Sequence, residues 1–373
     1  MRKLHIPLVL TFFLSLFTNV ILAQQCDGIN LESLTNPGPF EVETLTEADG
    51  IRNGPDYFGA TIYYPTNATE PLASIAIIPG YFGVPATIQE WGPFYASHGI
   101  VTIIIGTNSL LDFPEARAIA LLDALETIKQ ENIRASSPLE GALNLNQLAV
   151  SGHSMGGGGA QRAALLDNTV AGVVALCPWL PNPQLNHQSP VLIFSGENDA
   201  IAPPSQHADI HYNATPNTTD KLLFEIANSD HFVANTPNGG DRSVGKIALS
   251  WLKLYVERND CYCPLLTDDL LVNPPAASKV EQNFECELLA INKQELAIGL
   301  YPNPTSDFIN IVNTSAIQLE GVKIYDMYGR LISEVVITND NTQNINLSNL
   351  SSGVYMLHIY NDQLNTVKRV IKK

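Results

Sequence analysis

The segment AVSGHSMGGGG at Ala149–Gly159 constrains the fold of this chain more than any other stretch. An apolar run enters it, a glycine-flanked turn follows, and a stretch compatible with a helix leaves it, with Ser154 at the tip. Gly152 and Gly156 suit a sharp turn, because a Cβ atom at either position would meet neighbouring backbone. The segment matches the strand–turn–helix pattern G-x-S-x-G, which presents a serine at the end of a sheet strand. A glycine-rich turn with an ordinary serine is the alternative, and the other residues of the chain decide between the two.

The N-terminal residues 1–23 predict a secretory signal peptide. Arg2 and Lys3 form a charged start, and an apolar stretch and a small residue at position 23 follow. No later stretch reaches the roughly 18 apolar residues that a membrane-spanning helix needs. The formal net charge of −17 argues against a nucleic-acid partner, whose phosphates it would repel. We therefore expect an exported, soluble protein.

Five cysteines in an exported chain indicate disulfides. Cys177 lies in an apolar run and is predicted to be a buried thiol. The other four allow two bridges in three connectivities, among which the sequence does not choose: Cys26, Cys261, Cys263 and Cys286. No histidine cluster accompanies the C-x-C pair, and no other metal-ligand pattern is present, so we predict neither a metal nor a cofactor.

Short apolar runs alternate with helical patterns between about residues 60 and 257. Ala73–Ile78 and Ile100–Ile105 are almost entirely apolar, as expected for strands that are covered on both faces. Glu115–Asn132 and Ser243–Glu257 carry apolar residues at helical spacing. This alternation predicts an α/β domain at residues 24–264, with a mostly parallel sheet and helices on both faces.

The pattern changes after Pro264. Residues 265–297 show no sustained rhythm of strands and helices, and we interpret them as a linker. From residue 298 to residue 373, short strands recur at regular spacing and turn signals separate them, which predicts a small all-β sandwich. Its expected strands are Phe308–Val312, Val322–Tyr325, Leu331–Ile337, Val354–Ile359 and Thr366–Ile371.

Two further residues follow the serine in the chain order expected of a base and the acid that orients it. A serine hydroxyl becomes a good nucleophile only when a base takes its proton, and that base needs a third group to hold it. Asp199 follows the apolar run Val191–Ser195, and His231 follows Lys221–Ile226, so each is expected in a loop at a strand end. The order Ser154, Asp199, His231 is the order found in α/β-hydrolases.

Other ionisable residues near these positions are weaker candidates. His153 adjoins the serine and is predicted to point away from it, into the scaffold. His207 and His211 are predicted to face solvent from a helix, and Glu197 and Asp230 to be loop or surface residues.

An oxyanion hole needs two N–H donors that are already aimed at the developing charge. We expect one from the backbone of Met155 and the other from Tyr81, with Phe82 as the fallback; the alternative for Tyr81 is a core aromatic. Trp179 follows a proline at a strand end, which favours a flat wall for a substrate over a core position. Only residues 178–190 connect that strand to the next, too few for the helical lid that many lipases insert there, so an open cleft is predicted.

Residues from about Tyr57 to Cys263 resemble the bacterial cutinase and polyester (PET) hydrolase family of lidless α/β-hydrolases. The matching pieces are IIPGYFG at 77–83, WGPFYASHGIVTIIIGTNS at 91–109, SGHSMGGGG at 151–159, CPW at 177–179 and GENDAIAP at 196–203. The resemblance implies hydrolysis of carboxylic esters, from short acyl esters to aromatic polyesters. It implies a triad of Ser154, Asp199 and His231, an oxyanion hole of Tyr81 and Met155, and an aromatic-ring subsite at Trp179. Phe82-Gly83 after Tyr81, and Phe232 after His231, depart from the commoner pattern and bear on substrate preference.

The C-terminal residues resemble the sorting domain of the type IX (Por) secretion system. The matching pieces are YPNPTSDFINI at 301–311, VKIYDMYGRLI at 322–332, LSSGVYMLHI at 350–359 and KRVIKK at 368–373. The resemblance implies passage through the outer membrane on that machinery; an adhesion or carbohydrate-binding sandwich is the alternative. We expect a secreted monomer that acts on an ester or polyester, including a polymer surface. A small-ester esterase or triacylglycerol lipase, and a non-catalytic surface-binding protein, are the competing functions.

Overall fold

The computed structural model describes residues 26, 28–272, 276–286, 298–313, 318–327, 329–337, 342–361 and 365–373. The expected signal peptide lies outside these residues. The chain divides into a first unit that ends at Cys286 and a second, C-terminal unit. None of the helices in the described ranges combines the length and the apolarity that crossing a membrane requires.

Strands of the first unit form one mixed sheet of nine. In chain order they are β1 (Val42–Thr46), β2 (Phe58–Pro65), β3 (Leu72–Ile78), β4 (Val101–Gly106), β5 (Leu143–His153), β6 (Gly172–Leu176), β7 (Val191–Gly196), β8 (Lys221–Ile226) and β9 (Ala277–Asn283). Their order across the sheet is β1-β2-β4-β3-β5-β6-β7-β8-β9. The six strands from β4 to β8 in this order are parallel, and β1, β2 and β9 pair antiparallel at the two edges.

Helices cover both faces of this sheet. They are α1 (Trp91–Ala96), α2 (Pro114–Glu131), α3 (Met155–Leu166), α4 (Ala208–Ala214), α5 (Ser243–Tyr255), α6 (Cys263–Leu266) and α7 (Asp268–Val272). Strand β3 shows why the central strands are apolar throughout: Ile75 and Ile77 pack in one buried cluster with α1 and α5, and Ala76 and Ile78 in another with α2 and α3. Successive side chains of a strand point to opposite faces, so both parities must be apolar.

The prediction of a linker at 265–297 is wrong for much of this range. Residues 265–272 fall in α6 and α7, and β9 adds an antiparallel strand to the sheet edge beside β8. Phe284 is buried, with its ring centroid 5.6 Å from that of Trp251. An edge strand pairs on one side only, and the half-polar sequence of β9 therefore resembled a linker. Residues 273–275 and 287–297 lie outside the described residues.

Two disulfides secure the two ends of the first unit. Cys26 is bonded to Cys261, and Cys263 to Cys286, and Cys177 is a buried free thiol. This is one of the three connectivities that the sequence left open. The second bridge closes a short loop, with a sequence separation of 23, that contains β9.

The C-terminal unit consists of two small antiparallel sheets. Its strands are β10 (Ile298–Tyr301), β11 (Phe308–Asn313), β12 (Gly321–Asp326), β13 (Leu331–Val336), β14 (Thr342–Asn346), β15 (Gly353–Tyr360) and β16 (Asn365–Lys372). One sheet has the order β10-β11-β14 and the other β13-β12-β15-β16. Side chains of both sheets, such as Ile309 and Leu357, share one buried apolar cluster. Strands β10 and β14 were absent from the sequence-based expectation.

Candidate active site

Ser154 lies in a strained turn between β5 and α3. Its backbone has φ 56° and ψ −120°, a region that a residue with a side chain rarely adopts. The turn is crowded: a Cβ on Gly152 would stand 2.4 Å from the carbonyl carbon of Gly156, and one on Gly156 would stand 2.5 Å from the carbonyl oxygen of Ile78. Glycine at these two positions therefore permits the turn, as the sequence indicated. The turn places Ser154 above the parallel strand ends, where loops from several strands meet.

Asp199 and His231 meet in the loops after β7 and β8. Nδ1 of His231 donates a hydrogen bond to Oδ2 of Asp199 over 2.6 Å, and both residues are buried. The second oxygen, Oδ1, accepts hydrogen bonds from the N–H groups of Ile201 at 2.8 Å and Ala202 at 2.7 Å. Burial alone would raise the pKa of Asp199, but the hydrogen bonds from His231, Ala202 and Ile201 outweigh it and hold the pKa below its usual value. The carboxylate is therefore ionised at neutral pH.

The opposite ring nitrogen of His231 is free to exchange a proton. Nε2 is buried and has no hydrogen-bond partner among the described residues. Ser154 and His231 line the same cavity of about 240 Å³, together with Gly80, Tyr81 and Phe232. A buried nitrogen without a partner costs free energy, which is typical of a group that binds a reacting atom.

The loop after β3 brings backbone N–H groups close to the serine. A Cβ on Gly80 would stand 2.7 Å from the Cβ of Ser154, so the loop backbone nearly touches the serine side chain. The N–H groups of Tyr81 and Met155 have no acceptor within the described residues. The N–H of Phe82 donates to the carbonyl of Leu110 over 2.9 Å, which removes Phe82 as a donor for substrate. The Tyr81 side chain is 44% exposed and is therefore not a core aromatic.

His153 does not point away from the site as expected. It lines the cavity, its ring centroid lies 4.7 Å from that of His231, and its Nε2 donates to the carbonyl oxygen of His231 over 2.9 Å. Burial first, and then the neighbouring His231, lower the pKa of His153 to about 4, so the ring is neutral at neutral pH. The position of this ring is set by contacts with His231, a residue distant in the chain, which the strand periodicity did not indicate.

His207 and His211 are buried, contrary to the prediction that they face solvent. His211 accepts from Gln161 at 3.0 Å and donates to the carbonyl of Leu180 at 3.1 Å, so its neutral form is fully hydrogen-bonded. His207 packs against Trp179, with ring centroids 5.6 Å apart. Glu197 and Asp230 are exposed, as expected of loop residues.

The apolar residues of the site lie around the mouth of the cavity. Phe232 is 54% exposed and lines it. Trp179 is half-buried, and its backbone N–H donates to the carbonyl of Ser154 over 2.8 Å. Its side chain is not among those that line the cavity. Three further lining residues were not expected from the sequence: Thr87, Ile201 and Asn235. Only Ile201 carried a signal, because it is a large apolar residue in the loop that begins at Asp199.

The described part of the chain contains no group of three or more His, Cys, Asp or Glu side chains that could hold a metal ion. The cavity is lined by glycines, two histidines, three polar uncharged residues (Thr87, Ser154 and Asn235) and large aromatic or aliphatic side chains. Such a donor set suits a polar reacting group attached to an apolar body.

Two family models match the chain. Residues 30–285 match the model described as PET hydrolase-like, and residues 299–373 match a secretion-system C-terminal sorting domain. The two matched segments correspond closely to the two structural units.

Curated relatives agree with the first match. Cutinase est1 of Thermobifida alba is 38% identical over 231 residues, which is 61% of this chain and 75% of the relative. Cutinase 2 of Thermobifida cellulosilytica is 38% identical over 61% of this chain and 84% of its own length. A bis(hydroxyethyl) terephthalate hydrolase of Streptomyces coelicolor is 33% identical over 241 residues, 63% of this chain and 74% of the relative. The chain thus belongs to the PET hydrolase-like family, is a carboxylic ester hydrolase, and ends in a secretion sorting domain.

Proposed function

We propose that this protein is an exported serine hydrolase that cleaves aromatic polyesters and smaller esters through a covalent acyl-enzyme. The observation that carries the proposal is the buried pair of Asp199 and His231, joined over 2.6 Å, whose free Nε2 shares a cavity with Ser154. A serine, a base and a group that orients the base are the parts that acyl transfer requires.

The reaction proceeds in two halves. Nε2 of His231 takes the Ser154 proton as Oγ attacks the ester carbonyl, and the imidazolium that forms is stabilised by Asp199. The N–H groups of Tyr81 and Met155 bind the negative oxygen of the tetrahedral intermediate. His231 then gives its proton to the departing alcohol, and a water molecule repeats the sequence to release the acid and the free serine. No cofactor takes part in either half.

The cavity mouth supports a polymer as substrate. Tyr81, Ile201 and Phe232 are 44%, 53% and 54% exposed, and they surround the cavity that holds the serine. The connection between β6 and β7 contains no helix, so no lid of the lipase type inserts there. An open cleft with an apolar rim fits an aromatic repeat of a polyester, the chemistry named by the terephthalate hydrolase among the relatives.

We further propose that the N-terminal signal peptide and the type IX machinery export the chain in succession, and that the catalytic unit acts as a monomer. The match of residues 299–373 to a secretion sorting domain supports this route, which delivers the enzyme outside the cell or to its surface.

Replacing Ser154 with alanine tests the function. Turnover of p-nitrophenyl butyrate is expected to fall at least about a thousandfold, because the remaining groups have no nucleophile to activate. Ser151→Ala is the matched control: Ser151 lies in β5, the strand that leads to Ser154, it is buried, and its hydroxyl donates to the carbonyl of Val174 over 2.7 Å. It should keep kcat within about twofold.

Incubation of the parent with amorphous PET film then separates the remaining functions. Release of terephthalic acid, lost in Ser154→Ala, supports a polyester hydrolase. Ester turnover without any release from film would indicate a small-ester esterase or a lipase. Binding to film without Ser154-dependent turnover of either substrate would contradict the proposal and indicate a surface-binding protein.

A further inference from the structure

Arg117 lies at the start of α2 and is completely buried. Within the described residues, no carboxylate lies in ion-pair contact with its guanidinium. Burying an arginine without an ion pair is costly unless other acceptors satisfy its donors. Burial lowers the pKa of Arg117 to about 10, although the nearby Asp112 carboxylate acts in the opposite direction, and the side chain is charged at neutral pH.

Backbone carbonyls of two loops beside the active site satisfy this arginine. Nη1 donates to the carbonyl oxygen of Pro79 over 2.8 Å, and Nε donates to that of Asp112 over 2.9 Å. Nη2 makes a longer contact, 3.4 Å, with the carbonyl of Leu110. Pro79 is two residues before Tyr81 in the loop that approaches Ser154. The arginine therefore joins the loop after β3 to the loop after β4.

The carbonyl of Pro79 is also in contact with α3. A Cβ on Gly156 would stand 2.7 Å from this oxygen, so the carbonyl is held between the guanidinium of Arg117 and the first turn of α3. Met155, whose N–H is the second oxyanion donor, is the first residue of that helix. A Cβ on Gly159 would stand 2.8 Å from the Cβ of Arg117, so α2 and α3 also touch there.

A second contact fixes the far side of the same loop. The N–H of Phe82 donates to the carbonyl of Leu110 over 2.9 Å, and Leu110 is the residue that Nη2 of Arg117 contacts. Tyr81 thus lies between two anchored positions, Pro79 and Phe82. The N–H of Tyr81 has no acceptor of its own within the described residues, so its direction depends on these anchors.

We propose that Arg117 is a positioning residue that fixes the N–H of Tyr81 relative to the N–H of Met155 and so preorganises the oxyanion hole. This inference rests on the proposed acyl-transfer function. Stabilisation of an oxyanion depends on donors that need no reorganisation during the reaction, and small misplacements of such groups cost rate. Arg117 acts on the transition state through the loop, without touching the substrate. Its planar fork reaches separate carbonyls at once, which a lysine ammonium on a flexible stem does not reproduce.

The test compares Arg117→Met and Arg117→Lys with the parent, with p-nitrophenyl butyrate as substrate. In Arg117→Met we expect kcat to fall about 10- to 100-fold while KM stays within about twofold, since the loss is confined to the transition state. Inhibition by phenylboronic acid, which forms a tetrahedral adduct on serine, should weaken by a similar factor. Arg117→Lys should fall between the parent and Arg117→Met.

Arg52→Met is the matched control. Arg52 is a partly buried arginine that binds the same helix, through Asp123 and Thr127, away from the active-site loops. It should lose stability but keep kcat within about twofold. Circular dichroism and melting curves establish that each variant is folded; if Arg117→Met does not fold, Arg117→Lys decides by the same criteria.

Parent-like kcat in a folded Arg117 variant would overturn the role of Arg117, and so would a loss confined to KM or an equal loss of kcat in Arg52→Met. The absence of Ser154-dependent turnover in the parent would instead overturn the proposed function, and this inference with it.

Discussion

The two oxygens of Asp199 have different partners, and this division determines what an amide would do at the same position. Oδ1 accepts from the N–H groups of Ile201 and Ala202, so the carbonyl of an asparagine must occupy that place. Its NH₂ group would then face Nδ1 of His231 as a donor. His231 would have to accept there, which moves its proton to Nε2 and leaves no base for Ser154.

Asp199→Asn is therefore expected to lower kcat for p-nitrophenyl butyrate by about 10³- to 10⁴-fold, with a much smaller change in KM. Glu197→Gln is the control, because Glu197 is an exposed acid in the same loop whose Oε2 accepts from the N–H of Asn228. It should leave kcat within about twofold. Comparable losses in the two variants would mean that the loop, and not the orientation of His231, had been damaged.

The sequence predicted the positions of some site residues and left the side-chain directions of others undecided. The order of Ser154, Asp199 and His231 along the chain was enough to predict them as candidate catalytic residues, since parallel strand ends bring such loops to one edge of the sheet. The direction of His153 did not follow, because its contacts are with His231, a residue distant in the chain. The prediction that His211 faces solvent was wrong for a similar reason: its hydrogen-bond partners, Gln161 and Leu180, come from distant parts of the chain.

At the scale of elements, β9 differs from the central strands. Strand β3 is buried at every position, whereas β9 has no fully buried residue, and within the described residues it pairs only with β8. A continuous apolar run in the sequence indicates a central strand, but an edge strand has polar residues on its open side. The sheet could therefore be predicted at its centre and not at this edge.

The bridge between Cys263 and Cys286 encloses β9, and its removal should loosen this edge. For a sequence separation of 23, the loss of loop closure in the unfolded chain predicts a cost of about 3 kcal/mol, or roughly 6–12 °C in the melting temperature. The variant carries Cys263→Ala and Cys286→Ala together. Calorimetry of the oxidised proteins measures the shift, and kcat should change little because neither cysteine lines the cavity.

Cys177→Ala serves as the control for this prediction, because Cys177 is a buried thiol outside both bridges. It should cost less than the double variant, since only one sulfur atom leaves a packed site. A melting temperature of the double variant within about 2 °C of the parent would show that β9 is held by strand pairing alone.

For the molecule as a whole, buried neutral histidines make stability depend on pH. Burial is the first cause of a lowered pKa in three of them, each to about 4 in the folded protein: His153, His187 and His211. The unfolded chain binds protons at an ordinary pKa of about 6.5. Between these values the unfolded state holds more protons than the folded state, so stability is present above pH 6.5 and is lost as the pH falls toward 4.

His187 allows this contribution to be isolated away from the active site. Its Nδ1 donates to the carbonyl of Ser189 over 3.0 Å, and its buried Nε2 has no partner among the described residues. In His187→Asn the amide nitrogen can take the place of Nδ1, but no group remains to titrate. The parent should lose about 2 kcal/mol through this histidine between pH 7.5 and pH 5, and the variant should not.

Melting temperatures of the catalytic unit at the two pH values test this prediction. The difference between them should shrink by roughly 4–8 °C in His187→Asn. Gln188→Asn, a change at the exposed neighbouring residue, should leave the parent's difference intact. An unchanged difference in His187→Asn would mean that this histidine is protonated without cost in the folded state. The acid sensitivity would then arise from other histidines whose pKa burial lowers, among them His153 and His211. Protonation of His153 would also affect His231, because Nε2 of His153 donates to the carbonyl of that residue.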